Sequence, residues 1–317
     1  MVHFGVLLGN IVLFAALAIP GYFLGKMGRV SDGAMASITN ILTNVAMPAL
    51  VFSKLIMTDI PSLGGAAIVC CVLFPIVIMC VLYALCAVLF RSMKDTGKNK
   101  ASRFCAVFPN CGFLGIPLAS AMFPDEPSVV AFVSLFNVFS TLMLLTLGVY
   151  IYSGDRRHIC VHRVLFKPIT LAVVFGVICS LLGLGERLPA METYAGYLAA
   201  LTTPLAMIVL GVELSKLSLQ EIFGSVGVYA VSAIKLMLSP LMAMGLLLLV
   251  RAIGVPISAE LATALMISTG VSTAASAPAM AKRYGADSKY AAMLTLGATM
   301  LCMISLPLVS LLFNMLF

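Results

Sequence analysis

The sequence predicts an all-α polytopic membrane protein, with ten transmembrane helices in two inverted five-helix repeats and helices four and nine broken and crossed. Three observations predict it. Of the 317 residues, 62% are hydrophobic and only 10% charged, with mean hydropathy +1.13; a soluble fold of this size cannot hide that much apolar surface in its own core. Ten apolar segments are each long enough to cross a bilayer, which takes about 20 residues. Landmark residues then recur at a near-constant offset: Pro48 and Pro204, Arg91 and Arg251, Pro117 and Pro278 lie 156, 160 and 161 residues apart.

Taken in order, the first segment spans 4–25. It is longer than the h-region of a signal peptide and has no basic region before it, so a membrane span is expected rather than a cleavable leader. The second, 34–57, carries NVAMPALVF; Asn44 precedes Pro48 by one helical turn and Asn40 lies a further turn back. Lys54 near its outer end is placed to snorkel, with Asp59 nearby. The third, 63–90, ends at Arg91. The fourth, 102–123, is interrupted by PNCGFLGIP, and the fifth, 128–152, holds Asn137, Ser140 and Thr141. The sixth covers 168–185. The seventh, 192–214, contains Pro204 and Glu213; the eighth, 224–250, contains Lys235. The ninth, 260–282, is interrupted by STGVSTAASAP, and the tenth covers 288–316. Residues 1–153 thus form the first repeat, 154–167 a short basic loop and 168–317 the second repeat. An odd number of spans per half makes the second half enter the membrane from the opposite side, the inverted pattern of secondary transporters.

Charge sets the orientation. With Arg91, Lys94, Lys98, Lys100 and Arg103 placed in the cytoplasm, alternate loops add Lys26, Arg29, Arg156, Arg157, Arg163, Lys167, Lys216, Lys282, Arg283 and Lys289 to the same side, fifteen of the 19 Lys and Arg. Lys54, Arg187 and Arg251 face outward. This is a positive-inside distribution; it accounts for the net charge of +7 without a nucleic-acid partner. It puts the chain in the cytoplasmic membrane with both termini outside.

Helix-breaking residues at mid-membrane depth are tolerated only where backbone lines a polar cavity or is buried in protein, and matching breaks in two halves point to a binding site. The second half-helices are expected to begin at Pro117 and Pro278, since proline suits a first helical turn. Their free N–H groups would attract an anion, while the carbonyl ends of the preceding halves favour a cation or proton donor. Asn110, Cys111, Thr269, Ser272, Thr273 and Ser276 can add side-chain hydrogen bonds. Gly112 and Gly115 allow close backbone approach. Asn44 and Asn137 are further candidates, either lining the cavity or bonding between helices. Lys235, a charge within a span, either holds a substrate carboxylate or neutralises the carbonyl ends of the broken helices. Glu213 either couples transport to protons or pairs with Lys216.

The stretch PNCGFLGIPL resembles the PN…GIP signature of the auxin efflux carrier family. The resemblance extends to MPALVFSKL, KLMLSPL, AKRYG and ISLPL, and covers essentially the whole chain. It is that of a compact bacterial-type member, lacking the long cytoplasmic loop of the plant carriers. It implies a fold like that of bile-acid symporters and sodium/proton antiporters. Spans 1, 2, 6 and 7 would form a scaffold and homodimer interface, and spans 3–5 and 8–10 a transport domain moving as an elevator. It also implies substrates such as malate, malonate, lactate or auxin-like carboxylates, with Asn110 and Pro117 in the crossover motif. Thr273 and Ala274 stand where the plant carriers have proline and glutamine, which argues against an aromatic substrate.

The expected function is therefore secondary transport of a small mono- or dicarboxylate, with coupling to H⁺, coupling to Na⁺, exchange of two anions and uniport all open, and with a cation/proton antiporter of the same fold or an anion channel as alternatives. The nine cysteines form no CxxC pair, and the three histidines, His3, His158 and His162, lie near segment ends or in a loop. No metal, other cofactor or nucleophilic constellation is expected.

Overall fold

Hydropathy writes helices along almost the whole chain, and the computed structural model, which describes residues 4–159 and 162–316, is all-helical among them. His3 and Cys160 lie outside the described residues. Seven described helices are long and apolar enough to cross a membrane: α1 (Phe4–Lys26), α2 (Asp32–Ile56), α3 (Gly65–Leu89), α6 (Pro127–Ser153), α8 (Pro189–Ser215), α9 (Val226–Ala252) and α12 (Ser288–Leu316). The expected fourth span is split into α4 (Thr96–Val107) and α5 (Cys111–Met122). The expected ninth is split into α10 (Ala259–Gly270) and α11 (Ala277–Arg283). The expected sixth is the 14-residue α7 (Pro168–Leu181). Each of the ten apolar segments is helical, but three fall short of an unbroken crossing, two because they are interrupted.

Proline shapes several of these helices from within. Wide π-turns at Leu42–Ala46, Cys111–Gly115 and Ile234–Leu238 each stand just before a proline, Pro48, Pro117 and Pro240. A proline has no N–H to offer the preceding turn and its ring crowds that turn's carbonyl, so the helix widens there. A fourth π-turn, Leu144–Gly148, has no such proline; there the backbone presses on Phe104 and Phe108, and a Cβ on Gly148 would meet the Phe104 ring at 2.8 Å.

Two groups of helices pack within themselves. α1 lies along α8, and α2 lies against α7 and α8. Small residues bring α1 and α8 into backbone contact: a Cβ on Gly21 would collide with the Ile208 carbonyl, one on Gly211 with the Ala18 carbonyl, and one on Gly25 with Ser215. This is small-residue packing of the kind that holds membrane helices together without a hydrophobic driving force. In the second group α3 packs on α6, α10 on α6, α9 and α12, and α4 and α11 on α12.

Contacts also separate two ends of the bundle. Near the basic loops, Lys216 Nζ bridges Glu213 at 2.8 Å and Asp32 at 3.5 Å, Lys289 bridges Glu221 at 2.6 Å, and Lys98 sits 5.6 Å from the Tyr290 ring centre. At the other end Lys54 Nζ donates to the Pro124 carbonyl at 2.9 Å, and Ser180 donates to the Thr58 carbonyl.

Candidate functional site

Asp95 caps α4 by accepting from the Lys98 N–H at 3.1 Å, and the helix stops where Phe108 precedes Pro109. A residue before proline is driven to extended geometry, and Phe108 has φ −95° and ψ 122°. α10, capped by Ser258, stops at the extended Val271. The two extended stretches cross as a short antiparallel pair. Asn110 N donates to Ser272 O at 2.7 Å, Ala274 N donates to Phe108 O at 2.9 Å, and Pro109 faces Thr273. Backbone that has left its helix inside an apolar bundle is thereby satisfied.

Buried side chains complete the crossing. Thr273 donates to the Cys105 carbonyl in the last turn of α4. Lys235, 1% exposed in the π-turn of α9, donates to the Thr269 carbonyl at 3.1 Å and contacts Ser239 Oγ at 3.3 Å. Thr269 donates its hydroxyl to Leu265 O at 2.6 Å, and Ser272 accepts from Thr299 Oγ1 at 3.1 Å. Cys111 lies 3.7 Å from the Val133 carbonyl, and a Cβ on Gly115 would stand 3.3 Å from the Cys111 sulfur. Pro117 is buried inside α5. Thr269, Ser272 and Thr273 hold the crossing itself, Lys235 takes the second of its two expected roles by pairing with a carbonyl end of a broken helix, and Cys111, Gly115 and Pro117 are packed beside the crossing.

The expected helix start at Pro117 is corrected. The second half-helix begins at Cys111, because Leu114 and Gly115 already donate to the Asn110 carbonyl at 3.1 and 3.2 Å. Its free N–H groups are therefore those of the first turn after Asn110. Pro278 keeps its expected place, in the first turn of α11 after Ser276. The break in the ninth segment is also shorter than expected, since Ser268, Thr269 and Gly270 remain helical.

A cavity of about 420 Å³ opens beside the crossing, between α2 and the start of α7 on one side and α5, α6 and the α10–α11 link on the other. It brings together Asn44, Asn110, Gly112, Asn137 and Ser276 from the expected set. The amides of Asn44, Asn110 and Asn137 have no hydrogen-bond partner among the described residues, so their donors and acceptors face the cavity. Gly112 gives them room: a Cβ there would stand 3.2 Å from Met47 and 3.5 Å from Asn137 Oδ1. Thr43, Ser140, Thr141 and Lys167 also line the cavity. By sequence Lys167 is a loop charge, and its part in the cavity has no signal along the chain.

A second cavity, about 190 Å³, flanks the crossing on its other side between α8 and α5, α11 and α12. Asn110, Phe113 and Ala275 line both cavities, and Pro278 and Glu213 line this one. Glu213 carries the sole carboxylate lining either cavity among the described residues, and it is paired with Lys216 at 2.8 Å.

An apolar helical bundle whose interrupted helices cross beside a ligand-sized cavity carrying amides and hydroxyls is the arrangement of a multi-pass membrane transport protein. The comparisons agree. The model of a family described as membrane transport protein matches residues 7–162 and 156–310, and the chain belongs to that family, which includes the auxin efflux carriers. It is 31% identical over 237 residues to an uncharacterized transporter of Methanothermobacter thermautotrophicus, covering 73% of this chain and 74% of the relative. A second relative, an uncharacterized transporter of Methanocaldococcus jannaschii, is 27% identical over 222 residues, 66% of this chain and 70% of its own. A third, named "Putative malonate transporter", from Rhizobium meliloti, is 25% identical over 242 residues, 74% of each chain.

Proposed function

We propose that the protein is a secondary active transporter of a small organic anion, a mono- or dicarboxylate, working by alternating access. The observation that carries this reading is the crossover cavity. Among the described residues, three asparagine amides without a partner face it, the free N–H groups of α5 open beside it, and no carboxylate lines it. A cation site would need acidic or carbonyl oxygens pointing inward, and the crossing uses its last-turn carbonyls of Cys105 and Thr269 to accept from Thr273 and Lys235. The relative named for malonate fits the same substrate class.

In this proposal the ten helical segments are ten spans in two inverted repeats, with the basic loops in the cytoplasm and both termini outside the cytoplasmic membrane. The group α1, α2, α7 and α8 is the scaffold and homodimer interface. The group α3–α6 and α9–α12 is the moving domain, because both crossing cavities lie on the boundary between the groups.

A thermal-shift screen of the purified protein against malonate, malate and lactate, with and without Na⁺ and at two pH values, tests the proposal. A ligand that binds only the folded state raises its apparent stability. Stabilisation by one of the carboxylates is expected. Stabilisation by Na⁺ or pH alone would move the assignment to a cation/proton antiporter. Flux of the bound anion in proteoliposomes without trans-acceleration would move it to a channel.

A further inference from the structure

Among the basic residues, Lys167 is in an unusual place. The exposed lysines are solvated, and those that reach into the protein have partners: Lys100 donates to the Tyr152 carbonyl at 2.7 Å and Lys235 to the Thr269 carbonyl at 3.1 Å. Lys167 is half-buried and lines the crossover cavity, and its ammonium has neither hydrogen bond nor ion pair among the described residues. It is also the N-cap residue of α7, with φ −71° and ψ 138°. A cation there lies against the positive end of the helix, an unfavourable placement, so it does not serve the helix. The cavity's other polar side chains, Thr43, Asn44, Asn110, Asn137, Ser140, Thr141 and Ser276, are all neutral. Burial lowers the Lys167 pKa below the ordinary lysine value, the mark of a charge held without compensation.

We propose that Lys167 receives the substrate's carboxylate and makes the cavity select anions; this rests on the organic-anion reading above. The chemistry of the lining then defines the substrate class more narrowly. One cation meets one carboxylate, and the amides of Asn44, Asn110 and Asn137 meet a second hydrogen-bonding group, a hydroxyl, an amide or a further carboxyl.

The test is a set of binding isotherms with malonate, malate, lactate and the neutral analogue malonamide, on the wild-type protein, Lys167→Gln and Lys167→Arg. A hydrogen bond to a charged group contributes enough that its loss is expected to weaken carboxylate binding by about ten- to a hundred-fold. Lys167→Gln is expected to lose that affinity, to bind malonamide as the wild type does, and to keep the unliganded melting temperature. Lys167→Arg is expected to retain the preference for carboxylate over malonamide. If the wild type binds a carboxylate and Lys167→Gln binds it equally well, the assignment of Lys167 falls and the anion reading stands. If the wild type binds none of the three carboxylates, both fall. Binding lost together with a lowered unliganded melting temperature in both variants would identify a structural lysine and overturn the proposal.

Discussion

By sequence Asn110 is a ligand candidate and Lys235 either a ligand or a counter-charge for the carbonyl ends, and their surroundings separate them. Lys235 donates to a last-turn carbonyl of α10 and is fully enclosed. Lys235→Ala would leave the Thr269 carbonyl unpaired; a cost of about 1–3 kcal/mol is expected, read as a lowered unfolding free energy in detergent without ligand. An unchanged unfolding free energy would return Lys235 to the list of ligands. Asn110 is the reverse case: its backbone N–H holds the crossing at 2.7 Å while its amide has no partner among the described residues and faces both cavities. Asn110→Ala is expected to abolish carboxylate binding with little change in unliganded stability, and preserved binding by calorimetry would remove it from the site. At the surface, the Glu221 carboxyl is lowered from 4.5 to about 2 by the hydrogen bond from Lys289 and by the Ser218 N–H and hydroxyl. A carboxyl with a lowered folded-state pKa stabilises above its unfolded value, and that contribution is lost as pH falls toward about 2. The pair is exposed, so the effect is small. The melting-temperature difference between wild type and Glu221→Gln is expected to shrink steadily below pH 4.5; a difference independent of pH would contradict it.

At the scale of elements, the places where helices break were legible, because their cause is local: a missing proline N–H or a pre-proline residue acts within one turn. PNCGFLGIP and the run ending at Pro278 both interrupt helices as expected. The second half-helix at the first break starts earlier than expected, at Cys111. Two prolines bracket the break, and the sequence favoured Pro117 as a helix start, whereas the structure uses Pro109 to stop α4 and widens α5 before Pro117. The choice depends on Asn110 finding Ser272 on the other half of the chain. The α1–α8 contact yields a sharp test. Gly211→Leu would drive a side chain into the Ala18 carbonyl, and backbone cannot step aside as a flexible side chain can. Loss of folded, monodisperse protein in detergent size-exclusion is expected; a variant with wild-type melting behaviour would show that this contact is not part of the folded bundle.

For the molecule as a whole, the two packing groups and the cavities on their boundary motivate a movement of one group against the other. With Asn44 on the α2 wall of the larger cavity, a thiol at that position should report the movement. In a background with the native cysteines replaced, Asn44→Cys is expected to react with a membrane-impermeant reagent from the side bearing the basic loops, and substrate should slow the reaction. Equal labelling from both sides, insensitive to a bound carboxylate, would argue against an alternating cavity.

The sequence by itself determined that the chain is a helical membrane protein, where its helices break and which loops are basic. Hydropathy, proline geometry and loop charge each act within one segment and need no partner. Tertiary structure alone decided which polar residues meet a ligand-sized space. Crossing two broken helices turns one face of each inward, so Thr269, Ser272, Thr273 and Lys235 bond within the crossing and Cys111 packs against α6, while Asn44, Asn110, Asn137 and Lys167 line the cavity. No spacing along one chain tells a buried partner from a free one, because the difference lies in which segments the fold brings together.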